Sequence, residues 1–338
     1  MKAAVYYNNK DVRIEDVEKP TPGPGEILIK VHASGICGSD VMEWYRIKKA
    51  PLVLGHEIAG TVEEIGEGVE RFKVGDRVTA AHHVPCNECK YCLRGAHSVC
   101  ETLRTTTFYP GGFAEFVLVP ALNVDVGVFK LPDKMSFVEG SFSEPLGCVV
   151  RAMRVSGFKA HSSVLVIGSG ISGLLHIKLA HALGADHITA VDINVARLEA
   201  AKEFGADLTL LAGADIRAKL LETSSGLADF VVICAGADSA IDTALNCVDR
   251  GGVILFFAPK EPDTTYPMPL FNLWRDNITL VNSYASPPVD TLEAIELIGD
   301  KRVTVEDMVT HRLPLAEAAD GFRLVAEAAD SLKVILEP

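Results

Sequence analysis

Val164-Leu165-Val166-Ile167-Gly168-Ser169-Gly170-Ile171-Ser172-Gly173 is the stretch that decides the fold. An apolar, β-forming run enters a glycine-rich turn that opens a helix. Gly168 permits the tight turn, Gly170 lets backbone approach a pyrophosphate, and Gly173 allows the helix to pack closely on the strand. The helix start, which includes Ser172, turns free N–H groups and a partial positive charge toward the phosphates. Asp192 ends the next apolar run, nineteen residues after Gly173, where an acid holds both hydroxyls of a ribose. That carboxylate repels a 2′-phosphate, and Ile193-Asn194 places no arginine beside it, so the expected cofactor is NAD rather than NADP. Arg197, one helical turn on, reads either as a guanidinium lying along the ribose or as a solvated helix charge.

Outward from that loop the chain alternates strand and helix. Residues 188–191, 208–211, 230–233, 253–257 and 278–281 read as strands, with helices over 171–183, 197–204, 215–223 and 241–248. Such alternation builds a parallel, doubly wound sheet, a Rossmann domain expected over residues 149–288. The preceding residues differ in character. Strands at 27–33, 58–69, 76–80 and 113–119, punctuated by Gly60, Gly66, Gly68 and Gly75, describe a β-rich unit. Helices at 291–298 and 315–328 and a last strand at 333–336 return to it, so residues 1–148 and 289–338 form one domain with the other inserted. The expected fold class is α/β, a Rossmann domain beside a β-rich one.

Composition narrows the function classes. Apolar residues make up 48% of the 338, enough for large cores, yet no apolar run approaches the ~18 residues of a membrane helix. Lys and Arg total 32 against 45 Asp and Glu, a net charge of −13 that argues against a nucleic-acid partner. Met1-Lys2-Ala3-Ala4-Val5-Tyr6-Tyr7 lacks the regions of a signal peptide, which makes a cytoplasmic protein without membrane attachment the expectation. In that compartment eight cysteines serve as ligands or core residues rather than disulfides.

Four of them are Cys86-x2-Cys89-x2-Cys92-x7-Cys100. Four thiolates on one short loop suit a closed tetrahedral zinc site, and the metal would fix the lobe 84–101. Iron–sulfur ligation also uses Cys-x2-Cys steps. A zinc finger that reads nucleic acid is the other rival, disfavoured by the charge balance and by Asn87 and Glu88 in the loop. A second constellation draws on separate segments. Gly55-His56-Glu57 offers a neutral nitrogen and a carboxylate among apolar neighbours, and Cys37 stands between glycines in Ser34-Gly35-Ile36-Cys37-Gly38-Ser39-Asp40. One Cys, one His and one carboxylate make up a catalytic zinc site that keeps a position open.

Taken in order, these motifs, with Gly55-His56-Glu57-x2-Gly60, Gly75-Asp76-Arg77-Val78, Glu144-Pro145-Leu146 and Thr310-His311-Arg312-Leu313-Pro314-Leu315, resemble the zinc-dependent medium-chain alcohol dehydrogenases. The sorbitol (polyol) and threonine dehydrogenase branch is the nearest in pattern, over essentially the whole chain. The resemblance implies a GroES-like catalytic domain from both chain ends, a Rossmann NAD-binding domain between them, and two zinc ions per subunit. Catalytic zinc is carried over to Cys37, His56 and Glu57, with Glu144 exchanging as a ligand or passing a proton. Structural zinc is carried over to Cys86, Cys89, Cys92 and Cys100. Ala258 and Ser283 join Gly168, Gly170, Ser172, Gly173, Asp192 and Arg197 in the expected cofactor site.

The implied reaction is oxidation of a secondary alcohol: the metal stabilises the alkoxide, whose carbon gives a hydride to nicotinamide, yielding a ketone and NADH. Ser39 matches the hydroxyl that relays the proton. The family commonly continues with a histidine five residues after the zinc cysteine; this chain has Met42, leaving Glu43, Glu144 or water to follow. Trp44, His83 and Tyr284 are the expected pocket residues, His83 by its likeness to a pocket histidine of threonine dehydrogenases. Ser283-Tyr284 stands where sorbitol-type enzymes carry Arg-Tyr, a departure that bears on sorbitol itself. A polyol or sugar alcohol is the leading small-molecule substrate, with L-threonine or a 2,3-butanediol-type diol as the alternative. A non-catalytic relative would have lost a zinc ligand, and all three are present. Family analogy gives a homo-oligomer, tetramer or dimer, joined at the Rossmann edge. Cys148 reads as a spare ligand or a core residue, and Cys234 and Cys247 as core.

Overall fold

The computed structural model describes residues 1–223, 225–328 and 331–338. The chain divides into two compact units, Met1–Cys148 with Ala285–Pro338, and Val149–Tyr284. No helix among the described residues is long and apolar enough to cross a membrane.

In Val149–Tyr284 six parallel strands stand in the order Leu208–Leu211, His187–Asp192, Ser163–Ile167, Ala228–Ile233, Val248–Phe256 and Thr279–Asn282. This is the doubly wound order that reverses beside its first strand. Ser163–Ile167, paired on both sides, is buried along its whole length, and Val164 lies opposite both Ile188 and Phe230. Leu165, Ile167, Val231, Ile233 and Ile254 pack with Ile241 and Ala244 of the helix Asp238–Cys247. Because every strand runs the same way, the loops at Gly168, Ile193, Ala258 and Ser283 all leave one edge of the sheet. Among the helices that the sequence expectation did not include, two bear on this unit. Leu270–Arg275 is short and mostly exposed, and Ser143–Val155 carries Glu144 and Cys148.

The other unit holds a seven-stranded sheet. Along it run Val309–Pro314, Lys333–Glu337, Ile27–Gly35, Glu57–Ile65, Arg77–Ala80 and Val128–Lys130, and Phe116–Val119 also pairs with Ile27–Gly35. Ile27, Ile29, Val31, Ile58, Val62, Val78 and Val117 form one buried cluster, the inward side of these strands. A hairpin that the sequence did not reveal, Lys2–Asn8 with Asp11–Asp16, joins Leu52–Val53 in a three-stranded sheet. The strand expected over 113–119 begins only at Phe116, because earlier backbone groups are bonded elsewhere: Phe113 N–H donates to Leu54 and its carbonyl accepts from Ala4. The strand expected to reach Val69 stops at Ile65, where Gly66 N–H turns to the Glu26 carbonyl.

Candidate active site

Sheet register builds the first cluster. Gly35 ends its strand opposite Glu57, the first residue of the neighbouring one, and His56 and Cys37 lie just beyond these ends. One ligand atom each of Cys37, His56 and Glu57 fall within 4.8 Å of one another. Cys37 caps the turn Gly38–Val41: its Sγ accepts from Ser39 N–H at 3.4 Å, and Asp40 closes the box by accepting from Cys37 N–H at 3.1 Å. Asp40 is wholly buried, with Oδ1 3.5 Å from His56 Nδ1 and 3.4 Å from Arg46 Nη2. A carboxylate behind Nδ1 orients the imidazole and leaves Nε2 for a metal.

The electrostatics of this cluster ask for a cation. Burial alone would push His56 down, yet Asp40 and the Cys37 sulfur beside it hold its imidazole well above the ordinary histidine value. Burial raises the Glu144 carboxyl, and the Glu57 charge adds to that against the opposing pull of His56. Cys148 Sγ lies 3.5 Å from Glu144 Oε1, its own thiol pushed well up by burial. A soft thiolate, an imidazole and a carboxylate are the donor set that zinc takes.

Further side chains surround this cluster, His82 and Lys333 among them without a sign in the sequence. The His82 ring lies 4.7 Å from His56 and 3.8 Å from His83, and burial pushes both His82 and His83 down, His83 to about 4. His83 Nδ1 is 3.0 Å from the Thr106 carbonyl, so this expected pocket residue stands one ring removed from His56. Arg46 donates from Nε to the Ser39 carbonyl at 2.9 Å and from Nη2 to Ser39 Oγ at 3.1 Å. Trp44 is half-buried against Tyr45 on the same short helix, Glu43–Arg46. Lys333 reaches Glu57 from the end of the chain. Trp44 and His83 are expected from the sequence, whereas nothing in it singles out His82 or Lys333.

The second cluster is closed. The sulfurs of Cys86, Cys89, Cys92 and Cys100 lie within 4.8 Å of one another, with separations of 4.0 Å (Cys86 to Cys92), 3.5 Å (Cys89 to Cys92) and 3.7 Å (Cys86 to Cys100). Zn–S bonds of about 2.3 Å give tetrahedral edges of about 3.8 Å, so the spacing fits one zinc ion. Burial works against ionising Cys100, but the backbone N–H groups of Cys86 and Leu103 bring its thiol down to about 6. Around the thiols the only buried apolar partner is Leu103, among the described residues, which is little to hold a lobe without a metal.

In Val149–Tyr284 the glycine loop has the shape of a dinucleotide cradle. Gly168 sits at φ 95°, and a Cβ on Gly173 would come within 1.9 Å of the Gly168 carbonyl oxygen, so the helix Ile171–Ala182 packs as closely as a glycine allows. A Cβ on Gly170 would meet nothing nearer than the Arg197 guanidinium at 3.8 Å, which leaves the loop's outer side open and puts Arg197 over it. Asp192 is buried and accepts from Ser169 N–H at 2.6 Å and Asn194 N–H at 2.8 Å, which fixes its carboxylate beside the loop. Ala258 N–H bonds the Ile233 carbonyl at 3.0 Å, and Ser283 Oγ is buried with no partner among the described residues. Tyr284 is half exposed. Cys247 is core, raised to about 11 by burial, and burial raises Cys234 as well.

Comparison with known proteins gives the same picture. Residues 23–133 match the alcohol dehydrogenase GroES-like domain, and residues 172–300 the zinc-binding dehydrogenase domain. Sorbitol dehydrogenase of Gallus gallus is 31% identical, covering 99% of this chain and 96% of the relative. Among solved structures, an alcohol dehydrogenase from Thermus sp. ATN1 superposes with a TM-score of 0.88 at 30% identity, covering 100% and 99% of the two chains. The 2R,3R-butanediol dehydrogenase of Bacillus subtilis does so with 0.87 at 29% identity and the same coverage.

Proposed function

Because the chain belongs to the zinc-dependent alcohol dehydrogenase family, in its sorbitol dehydrogenase branch, we propose that it oxidises a polyol or other secondary alcohol to the ketone with NAD. The convergence of Cys37, His56 and Glu57, three ligands with a fourth position to spare, carries this reading. Cys37, His56 and Glu57 would hold a zinc ion that supplies Lewis acidity for the substrate oxygen, and the glycine loop would hold NAD as the hydride acceptor. Cys86, Cys89, Cys92 and Cys100 hold a second, structural zinc.

The chain's own groups manage the proton. Ser39 Oγ has one lone pair taken by Arg46, which leaves its hydrogen to be passed on as it receives another. Arg46 stays charged and cannot carry a proton itself, so it fixes the hydroxyl and favours a developing negative oxygen. Met42 carries none either. Glu144, whose burial favours the protonated carboxyl, is the residue of this set able to hold one. Trp44 and His83 line the pocket.

Asp192 supports NAD over NADP: its carboxylate, held beside the glycine loop by Ser169 and Asn194 N–H, would repel a 2′-phosphate. Arg197, Ala258 and Ser283 complete the cofactor site. The diol alternative is favoured by the likeness to butanediol dehydrogenase, and a short diol has no need of the Arg missing before Tyr284. A homo-oligomer, dimer or tetramer, is supported by the edge strand Thr279–Asn282 and the exposed Leu270, Phe271 and Trp274 near it in sequence. The clustered thiols belong in a reducing compartment such as the cytoplasm. NADH formation measured over sorbitol, xylitol, 2,3-butanediol and L-threonine tests the substrate class. Turnover on a polyol supports it, and no reaction with any alcohol in the presence of zinc contradicts it. In Ser39→Ala the acidic limb of the pH–rate profile disappears; an unaltered profile removes Ser39 from the relay.

A further inference from the structure

Lys333 is a charged residue in the wrong place for a strand end. Its side chain is 1% exposed, and burying an ammonium is costly unless it is paired and hydrogen-bonded. Its Nζ meets Glu57 Oε2, donates to the Ile36 carbonyl at 3.2 Å, and stands 5.7 Å from the centre of the Phe142 ring. Each partner adjoins a residue of the active site: Ile36 precedes Cys37, Phe142 lies two residues before Glu144, and Glu57 is itself in the ligand cluster.

The sheet is arranged for this contact. Gly35 ends the middle strand, with Glu57 opposite on one side and Ile335 on the other. Lys333, two residues before Ile335 on an antiparallel strand, therefore projects past the end of Gly35 toward Glu57. A Cβ on Gly35 would come within 2.1 Å of Glu57 Oε2 and 2.7 Å of Lys333 Cε, so only glycine leaves room for the pair.

We infer that Lys333 is a positioning residue that clamps Glu57 from behind and limits the negative charge it delivers to the catalytic metal. This rests on the zinc site read above. A divalent metal with one thiolate and one free carboxylate sums to zero charge. With the carboxylate neutralised by Lys333 the metal keeps a net positive charge, which favours the substrate alkoxide. Without the lysine, Glu57 becomes a full anionic ligand and the alkoxide forms only at higher pH.

The test uses the full chain with Co2+ in place of zinc, reading the part of the visible spectrum that is lost in Cys37→Ser. In Lys333→Met that Cys37-dependent band shifts, and the pH at half-maximal kcat/KM rises by about one unit, about tenfold at a fixed pH on the rising limb. Both changes vanish when Lys333→Met is made in a Glu57→Gln background, since the lysine acts only through that carboxylate. The double variant leaves no buried anion or cation unpaired and is the one to use if Lys333→Met alone does not fold. It is then expected to match Glu57→Gln in spectrum and pH profile. A band and pH profile unchanged in Lys333→Met, with only the thermal midpoint lowered, overturn the inference, as do changes of equal size in both backgrounds. Absence of any Cys37-dependent band in the parent protein overturns the metal-site reading itself, and the inference with it.

Discussion

The four-cysteine lobe and the Cys37–His56–Glu57 cluster both gather side chains that could hold a metal ion, and they are built in opposite ways. In the lobe all four ligands come from one short loop, and Leu103 is the main side chain packed on them. Four thiolates complete a tetrahedron and leave no place for substrate. The other site takes its three ligands from strand ends. Asp40, Arg46 and His82 surround it, and Lys333 reaches Glu57 across 276 residues of sequence. Its neighbours are polar, buried and tuned: His56 held up, His82 and His83 held down, Glu144 raised. A metal that only holds structure needs ligands alone, whereas one that reacts needs a surrounding that sets charge and passes protons.

The widest separation between the two is expected in turnover. Cys37→Ser loses a ligand of the reacting metal, and kcat/KM falls by about a thousandfold or more, about 4 kcal/mol, while the melting temperature stays within a few degrees. A variant that keeps turnover would make the two sites equivalent. Cys89→Ser inverts the pattern: the melting temperature drops by about 5–10 °C, about 2–3 kcal/mol, and the rate per folded molecule stays near the parent's. Mild acid acts in the same direction, because thiolate ligands must be deprotonated; the stability the metal supplies is present at neutral pH and lost as pH falls. An acid-stable lobe that keeps its melting temperature without metal would deny the lobe its structural role.

Asp40→Asn sharpens the difference in surroundings. It keeps shape and all three ligands but removes the charge behind His56, and metal affinity or activity falls by about 10–100-fold. No effect on either would reduce Asp40 to a helix cap. The smallest change is expected outside both sites. Asp192→Ala raises the KM for NAD by about tenfold and narrows the preference over NADP, with both metals retained. Unchanged selectivity would remove Asp192 from cofactor choice.

The features legible in the sequence are those written locally. The glycine loop, its strand and Asp192 lie within about thirty residues, the span of one strand–helix–strand unit, so the doubly wound fold could be read directly. The lobe's cysteines announce their convergence by spacing. Lys333 gives no such sign, because in Ser331-Leu332-Lys333-Val334-Ile335 it reads as a solvated strand end until Gly35 and Glu57 are set beside it. His82 is hidden beside His83, since sequence cannot tell which of two adjacent rings turns toward His56. The hairpin Lys2–Asn8 with Asp11–Asp16 is missed for a related reason: charged residues alternate through its exposed second strand, and nothing local marks it as paired.

Metal content and turnover measured together on the parent, Cys37→Ser and Cys89→Ser test the division of labour most directly. Two zinc ions per chain are expected in the parent and one in each variant, with alcohol oxidation lost only in Cys37→Ser. A Cys37→Ser protein that still holds two zinc ions, or that oxidises alcohol at the parent rate, would contradict it.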